Sequence, residues 1–320
     1  MQTLTLIVRE VRQESPLIRS FRLESADGSA LPAYSPGSHI KVQIPGLHDP
    51  RNYSLINAGS DSFGAPKQYR LGVRLEENSQ GGSRYMHALK EGDVITAQGP
   101  ANEFPLADHP ASTVLIAGGI GITPIASMAA SLANKGSNYT LHYSGRSRNQ
   151  LAFVDELQAL AGDKLVVHAD DDPATAFKLD ALLDAAPAGE HIYVCGPKGL
   201  IDAVIAGAKA RDWDGKRVHF ELFTAAVPQA GDGSFEVELK QSGQVFTIPA
   251  DKTILEVLEE AGCDPMYDCK RGECGVCQAT VLEGTPDHRD YYLSEAERAK
   301  GNVIQICVSR AKSARLVLDL

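Results

Sequence analysis

The chain has 320 residues, of which 43% are hydrophobic and 22% are charged, and its formal net charge is −10. This length predicts two or three domains, and the acidic balance argues against nucleic acid as a partner. No apolar run is long enough to span a bilayer, and Met1–Pro16 lacks the apolar core of a signal peptide. Six cysteines in such a chain indicate a reducing cytoplasm, where cysteines serve metals or catalysis.

The first 103 residues predict a small all-β domain. Its short segments are rich in β-formers, turn dipeptides such as Pro36-Gly37 separate them, and one helix is predicted at Gly82–Leu89. The predicted strands are Leu4–Val11, Ile18–Leu23, His39–Ile44, Tyr53–Ile56, Tyr69–Leu75 and Asp93–Ala97. Strands at this spacing are typical of a barrel or a sandwich.

Residues 104–225 predict a domain in which buried strands alternate with helices. The strands are Thr113–Ala117, Tyr139–Tyr143, Leu165–His168 and Ile192–Cys195. The helices are Ile122–Leu132, Asn149–Leu160, Leu179–Asp184 and Gly199–Ala210. This alternation predicts a doubly wound α/β fold with a parallel sheet.

A linker of small and polar residues at 226–233 precedes a third domain, residues 234–320. That domain begins with a hairpin of Phe235–Leu239 and Gln244–Ile248. A helix at Thr253–Ala261 follows, and Gly262 is placed to end it as a C-cap.

Four cysteines in the third domain form the most specific pattern in the chain. Cys269, Cys274 and Cys277 are spaced C-x4-C-x2-C, and Cys307 follows after 29 further residues. Plant-type [2Fe–2S] ferredoxins have this spacing. A structural zinc site is the alternative, but zinc favours paired C-x2-C hooks. The pattern therefore predicts a [2Fe–2S] cluster held by these four thiolates.

A one-electron cluster that draws on a nicotinamide needs a flavin, because the nicotinamide gives up two electrons at once as a hydride. Arg51-Asn52-Tyr53-Ser54 is the candidate flavin motif. Arg51 suits a phosphate, Tyr53 can lie along the flavin ring, and Ser54 can bond the nitrogen that accepts hydride. Gly82 and Ser83 can present N–H groups to the phosphate. A surface strand without a ligand is the alternative.

The nicotinamide candidate is Gly118-Gly119-Ile120-Gly121-Ile122-Thr123-Pro124, between an apolar strand and a helix. It departs from the G-x-G-x-x-G fingerprint because Pro124 takes the last position. Glycines in such a turn still let a pyrophosphate or a ring approach the helix N-terminus, and proline suits the first helical turn. A tight turn without a ligand is the alternative.

Cys195-Gly196-Pro197 ends the last predicted strand of the α/β domain. Ligands bind at the carboxyl ends of strands in a doubly wound sheet, so Cys195 is placed to face a nicotinamide. A small buried residue is the alternative, since free cysteine is often buried.

In this order, RNYSL, GGIGITP, CGP and the cysteine pattern resemble the phthalate dioxygenase reductase family, within the ferredoxin–NADP reductase superfamily. The resemblance covers essentially the whole chain. It implies an FMN-binding β-barrel, a nicotinamide-binding α/β domain and a C-terminal plant-type ferredoxin of the α+β, β-grasp class. It also implies a monomeric oxidoreductase that passes electrons from NADH through FMN and [2Fe–2S] to a Rieske-type terminal oxygenase.

The resemblance carries over residue by residue. It assigns to the flavin Arg51, Tyr53, Ser54, Val73, Arg74, Gly82 and Ser83. It assigns to the nicotinamide Gly119, Gly121, Thr123, Pro124, Cys195, Gly196 and Pro197. Phe223 resembles the aromatic residue that covers the flavin until nicotinamide displaces it, and domain packing is the alternative there. Ser54, Thr123, Cys195 and Phe223 would lie at the reacting atoms.

FMN and NADH are the expected cofactors, with alternatives open for both. Tyr85 follows the phosphate segment and keeps FAD open. Arg146 suits the 2′-phosphate of NADPH, whereas Asp170 and its acidic neighbours would repel that phosphate and accept from ribose hydroxyls. The acceptor also has alternatives: a diiron or P450 monooxygenase, or no enzymatic partner if the chain is an iron–sulfur redox sensor.

Overall fold

The computed structural model describes residues 2–57, 63–77, 79–108, 112–223 and 229–320. The chain divides into two units, Met1–Glu221 and Leu222–Leu320. Within the described ranges, every helix is too short or too polar to cross a membrane.

The first unit begins with six antiparallel strands. They are β1 Thr3–Ser15, β2 Ile18–Ser25, β3 His39–Val42, β4 Arg51–Ser54, β5 Tyr69–Arg74 and β6 Val94–Ala101, with helix α1 at Gly82–Ala88. The order β4-β3-β6-β1-β2-β5 puts β4 and β5 at opposite edges. A bridge between Leu55 and Leu71 joins those edges. The sheet therefore curls into a partly closed barrel, and the two strands of the flavin motif meet at its seam.

The same unit continues with a parallel sheet and its helices. The strands are β7 Thr113–Gly118, β8 Tyr139–Gly145, β9 Leu165–Ala169, β10 His191–Cys195 and β11 Val218–Glu221. The helices are α2 Ile122–Asn134, α3 Val154–Ala161, α4 Leu179–Ala185 and α5 Lys198–Lys209. The order β11-β10-β7-β8-β9 places a topological switch point between β7 and β10, as in other doubly wound folds.

One predicted helix begins later than expected. The pattern predicted a helix over Asn149–Leu160, whereas α3 begins at Val154 and a 3-10 turn occupies Arg148–Gln150. Phe153 interrupts the helix because its φ of 62° lies in the left-handed region. The Arg70 guanidinium lies 4.8 Å from the centre of the Phe153 ring. Packing between distant segments therefore sets this boundary.

The second unit is an α+β fold, as predicted. Its strands are β12 Phe235–Leu239, β13 Val245–Ile248, β14 Gln278–Glu283, β15 Pro286–Asp287, β16 Val303–Gln305, β17 Arg310–Ala311 and β18 Arg315–Leu318. Its helices are α6 Ile254–Glu260 and α7 Glu295–Lys300. The main sheet has the order β13-β12-β18-β14-β16, with β12 and β18 parallel. A capping box of Thr253 and Glu256 starts α6, and Gly262 follows its end with a φ of 78°.

The predicted linker at 226–233 lies partly outside the described residues, which resume at 229. Its described end is held by the second unit, because Arg289 donates two hydrogen bonds to Asp232, at 2.6 and 2.9 Å. These bonds hold the pKa of Asp232 well below its usual range. The boundaries predicted at residues 103, 225 and 233 stay predictions.

A buried ion-pair network joins the barrel to the α/β domain. Arg70 on β5 donates to Glu14 of β1 at 3.0 Å and to Glu156 of α3 at 2.5 Å. Only 6% of the Arg70 side chain and 4% of the Glu14 side chain are exposed. The hydrogen bond from Arg70 lowers the pKa of Glu156.

Replacement of Arg70 by glutamine is expected to lower the free energy of unfolding by about 3–5 kcal/mol, because it leaves a buried carboxylate without its main partner. The matched control is Arg9→Gln, whose partner is Glu24 and whose side chain is 52% exposed; we expect a loss of about 0–1 kcal/mol there. Urea unfolding measures the stability of both variants, and equal losses of unfolding free energy would contradict the network's role.

The stability that Glu156 contributes is complete above the unfolded glutamate pKa of about 4.3. It is lost as the pH falls below that value, because the pKa of Glu156 is lowered in the folded protein. Arg70→Gln should lack that pH dependence.

Candidate functional site

Three of the predicted flavin residues converge where β4 meets α1. A Cβ placed on Gly82 would lie 2.9 Å from Cγ of Arg51 and 3.3 Å from the hydroxyl of Tyr53. Only glycine leaves room for both side chains there. The Arg51 guanidinium and the N–H groups of Gly82 and Ser83 at the start of α1 are donors of the kind that a phosphate requires, so these residues fit the phosphate end of a flavin nucleotide.

The other flavin residues lie around the same seam. Val73 on β5 is buried, and its carbonyl oxygen lies 2.8 Å from Nε2 of His87 on α1. Arg74 donates to Glu76 at 2.9 Å, and the Glu76 N–H donates to the Ser83 hydroxyl at 3.1 Å. No pattern in the sequence marks His87, which connects α1 to β5. Burial lowers the pKa of His87.

The predicted nicotinamide segments meet backbone to backbone at the switch point. Gly121 has an ordinary φ of −60°. A Cβ on it would nevertheless overlap the carbonyl of Cys195 and lie 2.7 Å from the nitrogen of Gly196. A Cβ on Gly118 would lie 2.6 Å from Cδ of Pro197. The turn after β7 and the turn after β10 therefore form one wall, which is where a ligand binds in this type of sheet.

The first turn of α2 continues that wall toward the barrel. Gly119 adopts a φ of 54° with open space around it, and Pro124 lies in the first turn of α2, as predicted. Thr123 donates from Oγ1 to the Ile120 carbonyl at 3.0 Å. Its Cγ2 lies 3.0 Å from where a Cβ on Gly72 of β5 would stand. The turn predicted to bind the nicotinamide thus contacts β5, a strand predicted to line the flavin.

Arg146 and Asp170 follow adjacent strand ends. The Asp170 N–H donates to the Gly145 carbonyl at 3.0 Å, and the Asp171 N–H donates to the Arg146 carbonyl at 3.2 Å. These bonds bring together the backbones of the two loops that carry Arg146 and Asp170.

Cys195 and Phe223 differ in surroundings. Cys195 is fully buried, in register with Ala117 on β7 and Glu221 on β11. Phe223 belongs to the second unit, and 37% of it is exposed. The roles predicted for both at the reacting atoms stay predictions.

The four predicted cluster ligands form two thiol pairs in the second unit. A hydrogen bond joins Cys269 to Cys274, and another joins Cys277 to Cys307. The first bond lowers the pKa of Cys269 to about 5 and raises the pKa of Cys274. The second bond lowers the pKa of Cys277 and raises the pKa of Cys307. No three His, Cys, Asp or Glu side chains of the described residues are grouped to hold a single metal ion. Two pairs of thiols suit the two irons of a [2Fe–2S] cluster, with one pair on each iron.

The backbone of the cysteine loop is shaped around these sulfurs. The Arg271 N–H donates to the sulfur of Cys269 at 3.3 Å. Gly272 and Gly275 adopt φ values of 76° and 78°, which favour glycine. Backbone N–H groups directed at thiolates stabilise their charge and tune a reduction potential.

Two residues beside the cysteine loop, Tyr292 and Gln305, were not predicted from the sequence. The ring of Tyr292 occupies the space that a Cβ on Gly275 would need, and 51% of Tyr292 is exposed. Gln305 is fully buried and accepts from the Cys277 thiol at 3.4 Å. Neither lies at a spacing that marks a ligand, so only the fold reveals them.

Two family models match parts of the chain. Residues 237–312 match the 2Fe-2S iron-sulfur cluster binding domain, and residues 94–218 match the N-terminal domain of dimethylamine monooxygenase subunit DmmA-like proteins.

Three relatives cover nearly the whole chain. Vanillate O-demethylase oxidoreductase of Pseudomonas sp. (strain HR199 / DSM 7063) is 41% identical over 98% of this chain and 99% of its own. The heme-dependent oxidative N-demethylase beta subunit of Ectopseudomonas mendocina (strain ymp) is 39% identical over 98% of this chain and 97% of its own. The solved structure of phthalate dioxygenase reductase is 37% identical, covers 99% of this chain and 98% of that chain, and has a TM-score of 0.73.

These similarities confirm the predicted fold class, the [2Fe–2S] domain and a flavin- and nicotinamide-dependent oxidoreductase. The chain belongs to the phthalate dioxygenase reductase family, whose members are the reductase components of oxygenase systems.

Proposed function

We propose that this chain takes a hydride from NADH and delivers single electrons to a separate Rieske-type terminal oxygenase that acts on an aromatic compound. FMN and a [2Fe–2S] cluster supply the conversion from paired to single electrons when they are bound. The chain's own residues bind and orient these groups, and none is needed as a general acid or base toward the aromatic substrate.

One observation carries the proposal. Thr123, in the turn predicted to hold the nicotinamide, packs against Gly72, on a strand predicted to hold the flavin. A hydride moves only between centres in direct contact, so the two binding sites must share a border. The first unit provides that border between its two domains.

Different residues are proposed to bind different parts of the flavin and of the nicotinamide. Arg51, Gly82 and Ser83 would hold the phosphate of a bound flavin, Tyr53 and Val73 would flank its ring, and Ser54 would bond the nitrogen that accepts hydride. In the α/β domain, Gly119, Gly121 and Gly196 let the dinucleotide approach the backbone. Thr123 and Cys195 would orient the nicotinamide ring, and the family resemblance assigns to Phe223 the role of the aromatic residue that covers the flavin. Asp170 accepts from the ribose hydroxyls and selects NADH over NADPH.

An anaerobic titration of the holoprotein with NADH tests the proposal. We expect NADH to bleach the flavin and then to produce the EPR signal of a reduced [2Fe–2S] centre. NADPH should act at least about tenfold more slowly, because Asp170 repels its 2′-phosphate. The mass of the released flavin should be that of FMN. A flavin that NADH leaves oxidised would contradict the reductase function and would favour a redox sensor.

A heme-containing acceptor is the second candidate, because one relative is named as a subunit of a heme-dependent oxidative N-demethylase. Mixing the NADH-reduced chain with a purified Rieske oxygenase or a purified heme monooxygenase separates the two. If the heme protein reoxidises the cluster faster than the Rieske oxygenase does, the heme protein is the preferred electron acceptor and the Rieske assignment is wrong.

A further inference from the structure

Ser127 ties the nicotinamide helix to the flavin strand. The Asn57 N–H donates to its Oγ at 2.8 Å, and the same Oγ donates to the Leu55 carbonyl at 2.6 Å. Ser127 is fully buried on α2. Its two partners are backbone groups of the segment that directly follows Ser54, which is the residue predicted to bond the flavin.

The same face of α2 carries Thr123. Residues four apart on a helix lie on one face, so Thr123 and Ser127 both point at the barrel. Thr123 meets Gly72, and Ser127 meets Leu55 and Asn57. Helix α2 therefore contacts β5 and the segment that follows β4 within about one helical turn.

The barrel holds this segment through other bonds. The Leu55 N–H donates to the Ser38 carbonyl at 2.8 Å, and the Ile56 N–H donates to the Arg70 carbonyl at 2.8 Å. Those bonds stay within the barrel. The two Ser127 bonds instead cross from the α/β domain to the barrel, so they help to fix the position of α2 relative to this segment.

We propose that Ser127 is a positioning residue for hydride transfer, acting through the backbone at Leu55 and Asn57. The inference rests on the proposed function, because it concerns the distance between the flavin and nicotinamide sites. Reacting atoms must come within about 3–3.5 Å, and a 1 Å misplacement can cost about 100-fold in rate. Loss of both hydrogen bonds lets α2 and Thr123 shift relative to Ser54.

The test compares Ser127→Ala with Ser38→Ala in the full-length, flavin-loaded chain. Ser38 is also buried, and its hydroxyl accepts from the Ser35 N–H at 3.2 Å within the barrel. Both changes remove a buried hydroxyl, so both should lower the unfolding temperature. Only Ser127→Ala should slow flavin reduction at saturating NADH, by at least about tenfold, and raise the isotope effect with 4-deuterated NADH.

A readout independent of turnover accompanies the kinetics. Hydrogen exchange at the Asn57 amide should accelerate at least about tenfold in Ser127→Ala and stay at the wild-type rate in Ser38→Ala, with or without flavin. If Ser127→Ala fails to retain flavin, Ser127→Thr and Ser127→Val replace it, since they have nearly the same shape and only threonine keeps the hydroxyl. Threonine should then give the faster reduction.

The outcomes separate this inference from the function on which it rests. If NADH leaves the wild-type flavin oxidised, the proposed function fails. If the wild type is reduced and Ser127→Ala is reduced at the same limiting rate, or valine equals threonine, Ser127 is only a structural residue and the inference is overturned.

Discussion

Replacing Cys274 with serine is expected to lower electron delivery to the oxygenase to below about 1% of the wild-type rate while sparing NADH oxidation by a two-electron dye. Cys274 is one half of the Cys269–Cys274 pair, so its loss leaves one iron with a single protein thiolate instead of two. The residues proposed to bind flavin and NADH, apart from Phe223, belong to the other unit, Met1–Glu221, which has cores of its own. Iron content, EPR and single-turnover reduction of the flavin measure the two effects.

Cys263→Ser is the matched control for Cys274→Ser. Cys263 lies in the same unit and is partly buried, but it stands outside the C-x4-C-x2-C pattern. We expect wild-type iron content and wild-type transfer from it. A folded, flavin-loaded Cys274→Ser protein that has lost both activities would refute the division of labour between the two units.

Gly121→Ala is expected to abolish reduction of the flavin by NADH, with a fall of at least about 100-fold. The added methyl group would overlap the Cys195 carbonyl and crowd the Gly196 nitrogen, and both are backbone atoms that no rotamer change can move aside. The turns after β7 and β10 must then separate, which displaces the nicotinamide wall by a distance that hydride transfer does not tolerate. Rapid mixing with NADH measures the effect.

Two controls isolate this steric cause. Gly199→Ala, in α5, adds the same methyl group where nothing lies within 4 Å and should keep the wild-type rate. Reduction of the cluster by dithionite should be normal in Gly121→Ala, because the cysteines lie in the other unit. A Gly121→Ala chain reduced by NADH at the wild-type rate would show that this backbone contact is not required.

The motifs could be identified from the sequence because each depends on the spacing of nearby residues. C-x4-C-x2-C, GGIGITP and CGP need particular residue types within a few positions, since a loop must wrap a sulfide or admit a phosphate. The strand and helix alternation likewise follows from local periodicity. These patterns identified the three-part fold and the family.

Other features depend on residues that are distant in sequence. The helix predicted over Asn149–Leu160 starts at Val154 because Phe153 turns left-handed to pack beside Arg70, which lies more than eighty positions earlier. Gln305 and Tyr292 became neighbours of the cluster ligands only when β16 and the loop before α7 were folded against the cysteine loop.

The sequence by itself predicted the kinds of cofactor that this chain binds, a flavin, a nicotinamide and a [2Fe–2S] cluster, because short motifs indicate that chemistry. Only the tertiary structure decided how those motifs are placed: the cysteines as two pairs, Gly121 against the Cys195 carbonyl, and Ser127 across the seam to Leu55 and Asn57. The reason is physical. Contacts between segments seventy residues apart depend on how strands and helices pack, and no local pattern encodes that packing.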